Sequence, residues 1–281
     1  MARIQVVTDS ACDLVPSLTD ERDVRVVPLT IRFGAEELID REELSTKEFW
    51  DRVITGNDMP ETAAPSPGAF QKAFVEAADA GRSGVVCLTI SSRLSATYQA
   101  ACTAADMVSN RIAVRVVDTL SVTLGQGLLV LAAADLADQG RHHDDVAAAV
   151  DDMKRRTYVY GVVDSLDFLR RGGRIGGAAH LLGSLLSIKP VVEVRDGVVE
   201  VESKQRTRSR SLQYLAGKAL AAEPIERLAV ANGAAPDIDE VVTAVKRTNP
   251  AHDLVVGDLG PVVGSHTGPG TAGVTFVRAT T

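Results

Sequence analysis

Gly84-Val85-Val86-Cys87-Leu88-Thr89-Ile90 runs straight into Ser91-Ser92-Arg93-Leu94-Ser95-Ala96-Thr97-Tyr98, and this junction decides the reading of the chain. The first stretch is short and aliphatic without polar alternation, the pattern of a strand buried on both faces. The second is a hydroxyl-rich turn that opens a periodic, helix-like segment, Leu94–Val108. The same sequence of events recurs on both sides. Arg3–Thr8 leads into Thr8-Asp9-Ser10, and Ile112–Val117 leads into Asp118-Thr119-Leu120-Ser121. Val24–Phe33 reads as another strand, and Thr46–Ile54, Gly68–Ala80, Ser121–Asp138 and Asp144–Arg155 read as helices. In the last of these, Val146, Ala149, Val150 and Met153 recur at helical spacing, with Asp and Lys on the opposite face. Strands alternating with helices imply right-handed crossovers and a parallel sheet.

After about residue 160 the alternation stops. Tyr158–Val163 reads as a strand, followed by helical pieces at Leu166–Arg170 and Ile175–Leu186. Ile188–Arg195 and Val198–Ser203 then flank Asp196-Gly197, a strong hairpin signal. A helix at Thr207–Ala222, a strand at Arg227–Ala231, a helix after Asp237 and strands near Leu254–Asp258 and Gly273–Val277 complete the chain. The expectation is an α/β protein in two parts. Residues 1–160 form a Rossmann-like domain on a parallel sheet, residues 161–281 form an α+β domain on a mixed sheet, and a ligand cleft lies between them.

Composition narrows the classes of function. The 281 residues are 45% hydrophobic but only 4% aromatic, so any pocket is built mainly from Ala, Val, Leu and Ile. A net charge of −7 makes the chain a poor nucleic-acid binder. Three cysteines without a CxxC argue against a disulfide framework or zinc site and for a reducing compartment. The longest apolar run, Gly127–Ala134, is too short to span a bilayer, which takes about 20 residues. Met1-Ala2-Arg3-Ile4 carries no signal-peptide pattern, so a cytoplasmic protein is expected.

Ligands of open α/β sheets bind beyond the carboxyl ends of the strands, where helix starts offer free N–H groups to anions. Each hydroxyl-rich turn taken alone reads first as a helix cap, but three on one edge suggest such an anion site. Thr62-Ala63-Ala64-Pro65-Ser66-Pro67-Gly68 is a loop with Ser66 as cap and Pro67 as first helical residue; it is either a stiff connector or holds the Thr62 hydroxyl at a pocket mouth. Gly172-Gly173-Arg174-Ile175-Gly176-Gly177 follows a helical patch rather than a strand, and Gly125-Gln126-Gly127 fails the dinucleotide pattern too. With no Walker A sequence and no G-x-S-x-G elbow, independent nucleotide binding is not expected. His142-His143 reads as a solvated loop, whereas His266, in the turn-rich stretch Gly264–Gly270, is the better ligand candidate. Ser95, His266 and Asp9 make a triad on paper that spacing alone does not support. Residues 161–220 carry 10 Lys and Arg against 6 Asp and Glu. The cluster Arg170, Arg171, Arg174, Lys189, Lys204, Arg206, Arg208 and Arg210 is a solvated face or a docking surface for an acidic partner or anionic headgroups.

With these motifs in place the chain resembles the DegV family, bacterial fatty-acid-binding proteins that serve as the binding subunit of fatty-acid kinase. The resemblance runs through Val7–Leu14, Thr62–Gly68, Ile90–Gln99, Val117–Val122, Leu169–Ile175, Leu185–Pro190 and Gly264–Gly270, in order along the whole chain. It implies one long-chain fatty acid with its tail in an aliphatic tunnel between the domains and its carboxylate on Thr62, Ser95 and His266. It also implies that Ser92, Arg174 and Arg206 lie near the head group or at the docking surface for the kinase subunit. That subunit carries ATP and metal; this chain would hold no cofactor of its own, and the acyl phosphate would serve phospholipid synthesis. A transient membrane contact is a further implied partner, and nucleic acid is not one. Ala96 stands where the family has Gly, and Ala63-Ala64 where it has Ser-Gln, without removing a carboxylate contact. The alternatives are a Ser-dependent acyl hydrolase and a lipid-responsive regulatory module.

Overall fold

A computed structural model describes residues 3–56, 59–181 and 188–280. The first half carries β1 (Gln5–Asp9), β2 (Val24–Val27), β3 (Thr30–Phe33), β4 (Glu36–Ile39), β5 (Glu61–Ala63), β6 (Val85–Thr89) and β7 (Val114–Asp118). Among them run α1 (Pro16–Asp20), α2 (Thr46–Thr55), α3 (Pro67–Asp79), α4 (Thr97–Met107), α5 (Leu124–Asp138) and α6 (His143–Met153). β2-β1-β6-β7 form the expected parallel sheet, and every residue of β1 and β6 is buried, which is why they read as unbroken apolar runs.

The expected strand Val24–Phe33 is in fact two. Pro28 has no N–H for a ladder, so β2 ends before it. The chain then leaves the parallel sheet, and β3 pairs antiparallel with both β4 and β5 in a small sheet of its own. Ser66 caps α3 by accepting from the Ala69 N–H, with Pro67 at the first helical position as its sequence foretold.

The second half carries β8 (Thr157–Val162), β9 (Lys189–Arg195), β10 (Val198–Gln205), β11 (Ile225–Gly233), β12 (Leu254–Asp258) and β13 (Thr271–Arg278). They form one mixed sheet in the order β10-β9-β8-β13-β11-β12, with only β11–β12 parallel. All of β8 belongs to this sheet, so the change of sheet falls before Thr157. Asp196 and Gly197 both have positive φ, 49° and 81°, as a tight hairpin turn requires. The helices are α7 (Asp167–Arg171), α8 (Arg208–Ala221), α9 (Ile238–Thr248) and α10 (Pro261–Thr267). The piece expected at Ile175–Leu186 begins as a 3₁₀ turn, Gly176–Leu181; residues 182–187, with part of the Leu185–Pro190 motif, lie outside the described residues.

One face of the mixed sheet, including Val162, Val230 and Phe276, packs on Leu215 of α8 and Val245 of α9. The other face turns toward α5, which touches β1 and β6 of the first sheet and β11 and β13 of the second. α5 is apolar nearly all round and almost wholly buried, as a helix between two sheets must be.

Two expectations are corrected here. Gly264–Gly270 is helix through Thr267 rather than a flexible loop. A Cβ at Gly264 would lie 2.5 Å from Phe49 and 2.9 Å from Trp50, so this glycine marks close packing of α10 on α2. His143 is not solvated: it is only 5% exposed and packs on Gly84, where a Cβ would stand 2.6 Å from its Nδ1. His142 alone is exposed, capping α6 by accepting from the Asp144 N–H. Among the described residues no helix is long and apolar enough to cross a membrane.

Candidate functional site

A cavity lies between the inner face of the mixed sheet and the turns, helix start and short helix that the first sheet and α10 bring against it. Its empty space, open mouth included, is about 940 Å³. One wall is Ile90, Leu94, Val122, Val262 and Val263; the opposite wall is the sheet itself.

That sheet wall is shaped by what it lacks. Reading across β9, β8, β13 and β11, the register aligns Val192, Gly161, Gly273 and Ala231 in one row. A Cβ at Gly161 would meet only Val192 Cγ2 at 3.7 Å and the Ala272 carbonyl oxygen at 3.9 Å. No tight neighbour requires glycine there. Interior glycine weakens a strand, and here it leaves room over β8 and β13. Sequence reasoning missed both glycines, although a lone Gly within Tyr158–Val163 is a signal for a ligand approaching closely.

Four polar side chains gather at one end. Thr62 is placed by the pairing of β5 with β3, opposite Ile31. Ser95 sits in the turn after β6, where its N–H donates to the Ser91 carbonyl; Ser91 Oγ in turn donates to the Gly197 carbonyl at 2.8 Å, tying the turn to the β9–β10 hairpin. His266 comes from α10 and Arg174 from the loop after α7. All four line the same cavity. His266 Nε2 lies 2.9 Å from Thr62 Oγ1, and Ser95 Oγ lies 2.8 Å from Thr97 Oγ1. Arg174 donates to the carbonyls of Leu94 (3.0 Å) and Gly172 (2.5 Å), which fixes its charge at this end.

Burial pushes His266 down to about 4, with the nearby Arg174 charge acting the same way, so the imidazole is neutral near pH 7. Its Nδ1 has no hydrogen-bond partner among the described residues and faces Gly172, where a Cβ would stand 2.1 Å from it. A neutral ring with its single N–H on Nε2 donates to Thr62 and leaves the Thr62 proton for a ligand. Two hydroxyl donors beside a guanidinium suit a small anionic group, and the aliphatic channel beyond suits a long apolar one.

The remaining expectations divide. Ser92 is exposed, its N–H donating to Asp118 at 3.1 Å, and Arg206 is exposed between β10 and α8; neither lines the cavity. The Ser95–His266–Asp9 triad is not assembled. His266 Nε2 is engaged by Thr62, and the Asp9 carboxylate accepts from the Ala11 and Ile90 N–H groups. Nor do all three hydroxyl-rich turns form one anion site: Asp9 and Asp118 satisfy their own turns, and only the turn after β6 brings a hydroxyl to the polar end. Within the basic cluster, Arg208 is a structural residue, held by Asp237 at 2.6 Å and Asp164 at 2.7 Å.

The pattern of a family described as "uncharacterised protein, DegV family" matches residues 3–279. The chain is 35% identical to a DegV domain-containing protein of Streptomyces coelicolor over 276 residues, covering 96% of this chain and 97% of that protein. A solved structure of a fatty-acid-binding DegV family protein from Thermus thermophilus is 35% identical, with a TM-score of 0.88 and coverage of 99% and 100%. A stearic acid-binding protein from Eubacterium ventriosum is 26% identical, with a TM-score of 0.90 and 98% of each chain covered. DegV of Bacillus subtilis, a fatty acid binding protein, is 28% identical, with a TM-score of 0.87 and coverage of 99% and 100%.

Proposed function

The chain belongs to the DegV family, and from that premise we propose that it binds a long-chain fatty acid and presents the carboxylate to a separate ATP-dependent kinase subunit. The observation that carries the reading is one aliphatic cavity with Thr62, Ser95, His266 and Arg174 gathered at a single end. A carboxylate leaving water needs charge-assisted hydrogen bonds. Thr62 and Ser95 donate to it, His266 holds the Thr62 hydroxyl in the donating orientation, and Arg174 balances its charge. The tail runs over Gly161 and Gly273. Burying about sixteen carbons contributes roughly 13 kcal/mol, enough to outweigh an association cost of about 4–15 kcal/mol across most of that range.

Presentation to a kinase is supported by the absence of a nucleotide-binding pattern in the sequence and by the exposed arginine Arg206 in the basic 161–220 stretch. The acyl phosphate made there would serve phospholipid synthesis. The test is a stearate titration of delipidated protein. Thr62→Ala and Ser95→Ala each raise Kd about tenfold, the size of one lost hydrogen bond to a charged group; unchanged affinity in both would refute the head-group assignment. In the same preparation Arg206→Glu leaves Kd unchanged but slows acyl-phosphate formation by the kinase subunit, and an unchanged rate would remove Arg206 from the docking face.

A further inference from the structure

The cavity is not apolar throughout. Thr275 Oγ1, on β13, is 1% exposed and has no hydrogen-bond partner among the described residues, and it lines the cavity. Its cross-strand row is otherwise hydrophobic: Val194, Val159 and Ala229. Valine has the same shape and would fit such a row without burying an unpaired hydroxyl, which costs free energy unless something bonds to it.

The neighbouring hydroxyls are otherwise engaged or lie outside the cavity lining. Thr123, the residue that caps α5, also lines the cavity, 5% exposed, but its hydroxyl is turned to the Asp13 carboxyl. Ser121 Oγ, 4% exposed, is unpartnered. A Cβ at Gly125 would lie 2.3 Å from Ser121 Oγ and 2.4 Å from Val159 Cγ2, and Val159 is the residue paired with Thr275. Ser121 thus sits behind Val159, outside the cavity lining, and Thr275 alone turns an unpartnered hydroxyl to the channel among the described residues of this row. Thr271 marks the other end of β13, its hydroxyl donating to the carbonyls of Thr267 and Gly268 beside His266. Four residues of strand separate Thr271 from Thr275, about 14 Å at ~3.4 Å each.

We propose that Thr275 forms a second polar subsite well along the channel, which takes a hydroxyl carried on the acyl chain. The favoured ligands are then hydroxy-substituted long-chain fatty acids. This rests on the fatty-acid reading and adds to it. A hydroxyl both donates and accepts, matching a threonine that can do either, whereas an unsubstituted chain leaves the subsite unbonded. The carboxylate end fixes the chain's register, so the position of the substituent along the chain matters as well as its presence.

The experiment measures Kd for stearic, 10-hydroxystearic and 12-hydroxystearic acids with delipidated wild type, Thr275→Val and Thr275→Ser. Wild type is expected to bind at least one hydroxy acid as tightly as stearate or more so. Thr275→Val shifts that preference about tenfold toward stearate, and Thr275→Ser, which keeps the hydroxyl, restores it. If stearate binds but the preference is the same in wild type and Thr275→Val, the subsite is refuted and the fatty-acid reading stands. If wild type binds none of the three acids, both fall.

Discussion

The two sheets meet the same cavity in opposite ways. The parallel sheet approaches end-on, and what it supplies is chemistry: the turn beyond β6 carries Ser95, held in place through Ser91 and the opposing hairpin. The mixed sheet approaches face-on, and what it supplies is room, made by Gly161 and Gly273 where neighbouring strands carry Val192 and Ala231. A binding site can therefore be specified as much by absent side chains as by present ones. Carboxyls are shifted in both directions in both halves, as with Asp144 lowered in the first and Glu193 raised in the second. Asp9, Asp13 and Asp40 are buried around Arg41 in the first half, and burial pushes them up to about 6, 7 and 6. In the second half, Asp237 is held below its ordinary value by its hydrogen bonds to Arg208.

The sharpest way to break this contrast is to fill the face-on side. The first side-chain carbon of Gly161→Leu meets no tight neighbour and the rest projects into the cavity, so the fold should persist, as circular dichroism can check, while the channel closes. Displacing three or four methylenes at about 0.8 kcal/mol each predicts a loss of stearate affinity of roughly 100-fold or more. A variant that binds stearate normally would show that the tail does not cross β8. The end-on losses, from Thr62→Ala and Ser95→Ala, are expected to be smaller.

The smallest effect is on stability. A carboxyl whose folded pKa is raised stabilises the fold fully below its unfolded value, near 3.8, and that stability is lost as pH rises through the folded value. His266, lowered to about 4, acts oppositely, but only up to its ordinary 6.5. Above pH 6.5 the carboxyls remain, chiefly Asp13 at about 7. Tm should thus fall between pH 6.5 and 8, by about 2–4 °C for each kcal/mol, and Asp13→Asn should flatten the decline. An equal decline in that variant would assign it elsewhere.

Where the sequence was legible, one local signal determined the outcome. Ser66-Pro67 started α3, Asp196-Gly197 turned the hairpin, and the Thr207 hydroxyl accepts from the Arg210 N–H at the start of α8. Where it was not, the deciding partner lay far along the chain. Gly264 looked like flexibility because Phe49 and Trp50, which require it, come more than 200 residues earlier. His143 looked solvated because its neighbour is Gly84. The Gly161–Gly273 channel depends on strand register, which no local pattern reveals, and Pro28, which splits Val24–Phe33, was a visible signal left unread. Of the candidate carboxylate-end residues, Thr62, Ser95, His266 and Arg174 come together, whereas Ser92 and Arg206 stay outside the cavity.

The most direct measurement is a crystal structure of the delipidated protein recombined with stearic acid. The carboxylate should lie within hydrogen-bond distance of Thr62 Oγ1 and Ser95 Oγ, with the chain passing over Gly161 and Gly273 toward Thr275. A carboxylate found at the Thr275 end, or a chain bound outside this cavity, would contradict that placement.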